Sequence, residues 1–249
     1  MTNLFSSVRT TIKDRYALLA PESFVASNLP GWSGVTCVFQ VSPAMGAKFS
    51  QMLITFGDKG RGAGHTGGDE LFAFVVSGSC VLSASERTYS LAKEGYAFLP
   101  PGTTFEFSDA NKDTILLLFQ KRYEPIADTK PPEVLVSEAS KHPGQPFLGD
   151  PAARLQVLLP DTPAFDMAIN IFNYDPGAML PFVESHIMEH GLLMLTGQGV
   201  YRFDQDWHPV EAGDAVWMAP YCPQWFVAMG KTPARYIYYK NVNRAPLLP

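Results

Sequence analysis

Cysteine is scarce. The three present, Cys37, Cys80 and Cys222, are far apart, odd in number and without C-x2-C spacing, which leaves neither a disulfide framework nor a structural zinc site. A reducing, cytoplasmic setting is the expectation. Positive charge is also short: 19 Lys and Arg against 24 Asp and Glu give a net charge of -5 with no basic cluster, so nucleic acid is excluded as a partner. Apolar runs never approach the ~20 residues that cross a bilayer, and residues 1–9 lack the basic-then-apolar order of a signal peptide. The chain therefore reads as soluble and unprocessed, with no membrane partner.

What is present is a globular composition. The 249 residues are 46% hydrophobic, enough for one large or two small domains, each with its own core. Apolar runs at 71–76, 97–99, 115–119, 192–195, 215–218 and 236–239 are short, rich in β-branched and aromatic residues, and fenced by Gly and Pro. Turn signals lie between them, such as Pro100-Pro101-Gly102 and Asp175-Pro176-Gly177. This is the pattern of an all-β chain with few long helices. It also repeats. Residues 70–81 read like 189–200, with Glu70 on Glu189 and Gly78 on Gly197, and 93–100 then read like 210–217 with Gly95 on Gly213, one residue having been lost between. Two homologous β domains are expected, at 1–132 and 133–249, joined through the Pro-containing stretch 124–149.

In the second repeat Glu184, His186, His190 and Gly197 give the spacing Glu-x-His-x3-His-x6-Gly, followed by Gly213 and, further on, Gln224. Positions 184, 186 and 190 share parity, so an extended chain sends all three side chains to one face, whereas a helix would turn Glu184 away from the two His. Four residues of strand span about 13 Å, too far for ligands of one ion, so the chain must bend at 187–189 if they are to converge. A carboxylate, two imidazoles and an amide oxygen, with no thiolate, form a mixed hard donor set that favours Mn2+ or Fe2+ over Zn2+ and leaves two coordination positions open. In the first repeat the matching positions are His65, Gly67, Leu71 and Glu106. Gly and Leu offer no donor there, so one metal per chain is expected. If 235–240 is a strand, Tyr236, Tyr238 and Lys240 share one face, either lining a barrel interior or, for Lys240, reaching solvent at the rim. Tyr201, alternating with Phe203, is a further candidate for the wall.

The two spaced motifs resemble those of the cupin superfamily, with the metal-ligand types permuted and with Ala219 and Tyr221 where that superfamily usually carries Pro and Gly. The resemblance implies a bicupin, two jelly-roll β-barrels in one chain. More narrowly, the stretches 15–21, 29–32, 184–191, 197–201 and 236–244 resemble the (S)-ureidoglycine aminohydrolase family. That resemblance implies one Mn2+ per chain held by Glu184, His186, His190 and Gln224. It implies substrate contacts from Tyr201, Tyr236, Lys240 and Gln224, catalytic roles for Lys240, Tyr236 and Glu184, and hydrolytic release of ammonia from ureidoglycine in allantoin degradation. A homo-oligomer is the expected assembly. The proton-handling group is left open, with Lys240 one candidate. Two rivals stand beside this reading: a bicupin oxygenase or decarboxylase acting on a small acid, which usually keeps three His and one Glu, and a non-catalytic binding bicupin, in which ligand sets are lost from both halves.

Overall fold

The computed structural model describes residues 8–244; residues 1–7, most of the stretch read for a signal peptide, and 245–249 lie outside the described residues. The elements are strands and three short 3-10 turns, with no α-helix among the described residues. None of the described helices is long and apolar enough to cross a membrane.

The first barrel is a ten-stranded sheet. Its order runs Leu135–Glu138, Gly95–Leu99, Asp69–Ser77, Ile115–Arg122, Phe49–His65, Thr104–Ser108, Ser79–Ala84 and Arg87–Ala92, with Ala26–Ser27 and Trp32–Val41 attached beside it. The 17-residue strand Phe49–His65 bends the sheet upon itself: its first half pairs with Ile115–Arg122, its second with Thr104–Ser108. Glycine serves this bend because the Trp32 ring occupies the place a Cβ on Gly62 would take.

The second barrel packs an eight-stranded sheet against a three-stranded one. The larger runs Thr11–Ile12, Tyr16–Leu19, Ala215–Met218, His190–Thr196, Ala234–Asn241, Met167–Tyr174, Asp150–Val157 and Gln145–Phe147; the smaller runs Asp206–Glu211, Gln198–Phe203 and Gln224–Met229. Sheet membership crosses the 132/133 division of the repeats in both directions. Tyr16–Leu19, near the chain's start, pairs with Ala215–Met218, while Leu135–Glu138 returns to pair with Gly95–Leu99. The stretch 124–149 is thus more than a tether, since it supplies a strand to each barrel.

Side-chain alternation sets where the cores lie. Along Ala234–Asn241, Tyr236 and Tyr238 enter the second barrel's interior, whereas Ile237 and Tyr239 join a core shared between the barrels with Phe49, Phe119 and Trp217. At the edge of that shared core Lys121 is 2.5 Å from Asp166 and 3.7 Å from Glu70, all three buried. Burial, with Asp166 beside it, pushes the Glu70 carboxyl far above the usual range, so it stays protonated next to the ion pair.

Candidate active site

Glu184 and Gln224 face each other through a two-residue bridge, each backbone N–H donating to the other's carbonyl at 2.8 Å. Beyond it the chain does not continue as a strand. It bends at Ile187 and enters the larger sheet at His190, the first residue of His190–Thr196. The Tyr221 N–H, donating to the His186 carbonyl at 2.7 Å, ties down the middle of this crossing. Glu184 and Gln224 therefore approach from the smaller sheet's side and His190 from the larger, with the bend between them.

The crossing lines a cavity of about 150 Å3 inside the second barrel. Glu184, His186, His190, Gln224, Tyr201, Tyr236 and Lys240 all line it, so the seven positions singled out by sequence surround one space. The His186 and His190 ring centres are 4.9 Å apart, and Gln224 Nε2 lies 3.3 Å from His186 Nε2. The Tyr201 hydroxyl donates to Gln224 Oε1 at 3.4 Å. Lys240 stands directly across the strand pair from His190. Tyr236 shares a 3.1 Å hydroxyl contact with Tyr174 behind it, and Tyr238 accepts from Asn170 Nδ2 at 3.1 Å with its ring 5.6 Å from that of His190.

Burial governs the charges. It holds the His190 imidazole well below its ordinary value, with the nearby His186 and Lys240 acting in the same direction, and it lowers His186 likewise, again with help from Lys240. Both rings are neutral at pH 7, the form that ligates metal. Desolvation raises the Glu184 carboxyl and the Lys240 charge opposes it. Tyr201, Tyr236 and Tyr238 are pushed up by burial and remain O–H donors.

By donor type these residues suit a divalent cation. His186 Nδ1 is buried without a hydrogen-bond partner, and a carboxylate, two neutral imidazoles and a side-chain amide line the same space. They are not drawn together as a finished centre: among the described residues no three His, Cys, Asp or Glu side chains form a group that could hold a metal ion. Among the described residues the first barrel brings nothing comparable together. His65 is exposed, its Nδ1 accepting from the Gly67 N–H at 2.9 Å, Glu106 pairs with Arg61 at 2.9 Å, and Leu71 is core. Sequence reasoning missed the cavity's apolar wall of Phe147, Leu155, Phe172, Leu192 and Met218. Only Leu192 carries a signal, its parity with His190; the others look like any core residue.

A cupin-domain family model matches residues 170–239, the part of the second barrel that carries the site. Among curated proteins, the probable (S)-ureidoglycine aminohydrolase of Oryza sativa subsp. japonica is 40% identical over 243 residues, covering 96% of this chain and 77% of its own. The (S)-ureidoglycine aminohydrolase of Arabidopsis thaliana is 38% identical over 243 residues, covering 96% and 80%. Among solved structures, the protein Ylba from Escherichia coli superposes with a TM-score of 0.87 at 30% identity over 97% of each chain. Similarity of this extent, running through both barrels, means that the chain belongs to the (S)-ureidoglycine aminohydrolase family of hydrolases.

Proposed function

We propose that the chain hydrolyses (S)-ureidoglycine to (S)-ureidoglycolate and ammonia in purine catabolism, with one Mn2+ held by Glu184, His186, His190 and Gln224. The observation that carries the reading is the gathering of these four donors, with Lys240, Tyr201 and Tyr236, around one small cavity in a chain of this family. A bound divalent ion would supply a fixed positive charge that orients and polarises the substrate. The chain's own residues do the rest. The Lys240 ammonium pairs with the substrate carboxylate, a charge-assisted contact. Tyr236, held protonated by burial, donates a hydrogen bond to the ureido group, the Tyr201 hydroxyl oxygen is free to accept one from it, and Phe147, Leu155 and Phe172 wall the cavity against bulk water. In the reaction a C–O bond forms from water, the C–N bond to the amine breaks, and the water's proton leaves with the nitrogen as ammonia. Lys240, Tyr236 and Glu184 line the cavity as the groups to carry it. Three buried free thiols suit a reducing cytoplasm, and we expect a homo-oligomer.

The test is ammonia release from freshly made ureidoglycine by metal-stripped and Mn2+-restored protein, in air and in anaerobic buffer. Restored activity at equal rates in both supports the reading. Decay no faster than the spontaneous reaction, with oxygen consumed on another small acid, would favour a cupin oxygenase instead.

A further inference from the structure

The first barrel holds no assembled ligand set, yet it meets the site from behind. Alternation along two neighbouring strands sends His190, Leu192, Tyr238 and Lys240 into the cavity, while Gly191 and Tyr239, paired with each other, turn to the first barrel. Glu189, the residue before His190, points the same way. Its two carboxylate oxygens each accept from the Lys48 backbone N–H at 3.1 Å, and its own N–H donates to Asn241 Oδ1 at 2.8 Å. Phe49 lies with its ring centre 4.2 Å from that of Tyr239 and fills the space beside Gly191, where any Cβ would strike the Phe49 ring. Gln51 Nε2 donates to the Leu192 carbonyl at 3.0 Å and to Gln40 Oε1 at 2.9 Å. Glu189 and Gln51 are fully buried.

We propose that the segment 48–51 of the first barrel positions His190 and Lys240, with Glu189 and Gln51 as the positioning residues, and that this grip is what the first barrel contributes to the site. The inference rests on the reading of that site as a metal-dependent hydrolase centre. The physical reason is that ladders with Ala215–Met218 and Ala234–Asn241 fix the strand's register, while its tilt toward or away from the cavity is restrained from behind by the Lys48 N–H on the Glu189 carboxylate and by Gln51 on the Leu192 carbonyl, one on each side of His190. Groups that hydrogen-bond a ligand directly are worth about 10–100-fold in metal affinity or activity, and a grip on the backbone beside His190 acts on the same orientation, at the lower end of that range.

The experiment titrates metal-stripped full-length chain with Mn2+, following free ion by electron paramagnetic resonance, alongside thermal melts and kcat and KM for ammonia release. Variants are Glu189→Ala, Glu189→Gln and Gln51→Met, the last keeping the side-chain volume without its donor. The expected result is a Mn2+ dissociation constant raised about tenfold or more in Glu189→Ala and Gln51→Met, with kcat reduced, and recovery in Glu189→Gln, which keeps an acceptor for the Lys48 N–H. Wild-type Mn2+ affinity and kcat in both Glu189→Ala and Gln51→Met, with only the melting temperature lowered, would show the contact to be structural and overturn the proposal. Should Glu189→Ala fail to fold, Gln51→Met decides alone. Failure of the underlying reading looks different: wild-type chain then takes up no Mn2+ and releases no ammonia, which overturns both.

Discussion

Lys240 is half-buried, faces Glu184 and both imidazoles, and alters the ionisation of all three: it opposes protonation of Glu184 and disfavours the charged forms of His186 and His190. A single positive charge therefore favours the protonation states a cation site needs, while remaining free to meet a substrate anion. Lys240→Met keeps the apolar stem and removes the charge. It should retain fold and metal and lose tenfold to a hundredfold in turnover, since a hydrogen bond to a charged group is worth about 1.5–3 kcal/mol. Steady-state kinetics with metal analysis checks this, and near wild-type turnover would return Lys240 to a solvated rim. Legibility at this scale follows chemistry. Glu184, His186, His190 and Lys240 stand out in the sequence because polar side chains sent to an apolar interior cost free energy unless a ligand or a partner meets them there. Phe147, Leu155 and Phe172 do not, since a cavity wall and a packed core ask the same thing of a side chain, and only the three-dimensional gap between them makes a site.

Strands are written locally and their partners are not. Short alternating runs fenced by Gly and Pro announce an all-β chain, and the parity of Tyr236, Tyr238 and Lys240 announces a face, because both depend on residues within reach of one another. That Tyr16–Leu19 crosses to the second barrel, or that Leu135–Glu138 crosses back, depends on ladder hydrogen bonds, which backbone atoms make with any strand of suitable edge. The crossing carries weight in the fold. Tyr16, Ala17, Leu18 and Ala20 are buried, and Arg9 reaches Asp214, a fully buried carboxylate, at 2.6 Å. Burying Tyr16 and Leu18 alone contributes about 1.5–3 kcal/mol each, against a total stability of about 5–15 kcal/mol for a typical domain. Deleting residues 8–20 should thus leave Ala215–Met218 as an open edge beside His190–Thr196, lower the melting temperature and reduce Mn2+ uptake. An unchanged melt with full uptake would mean that this strand is an ornament on the second barrel.

At the scale of the whole molecule the two barrels share one core yet differ in what their interiors hold. The second lines its cavity with phenols, imidazoles, a carboxylate and an ammonium; the first lines a cavity of about 140 Å3 chiefly with Trp32, Met52, Leu71, Phe105 and Leu118, leaving His65 at its mouth. Corresponding positions have diverged: Leu71 stands where the second repeat has His190, and Gln120, across from Leu71, where it has Lys240. A lone imidazole already accepting from the Gly67 N–H and a Glu106 engaged by Arg61 offer no second ligand set. Elemental analysis of the full-length chain should therefore give about one Mn-type ion per chain. That ion should be lost in His186→Ala and in His190→Ala, where one of two neutral imidazoles disappears, and kept in His65→Ala, which touches only the first barrel's rim. Stripping and restoring the metal should raise the melting temperature of the wild type and of His65→Ala alike, because an ion bound only by the folded chain stabilises it by mass action, and should leave His190→Ala unmoved. An ion lost only with His65→Ala would move the site to the first barrel and undo the assignment of His190 as a ligand, and two ions per chain would show a second ligand set that overturns the one-metal expectation.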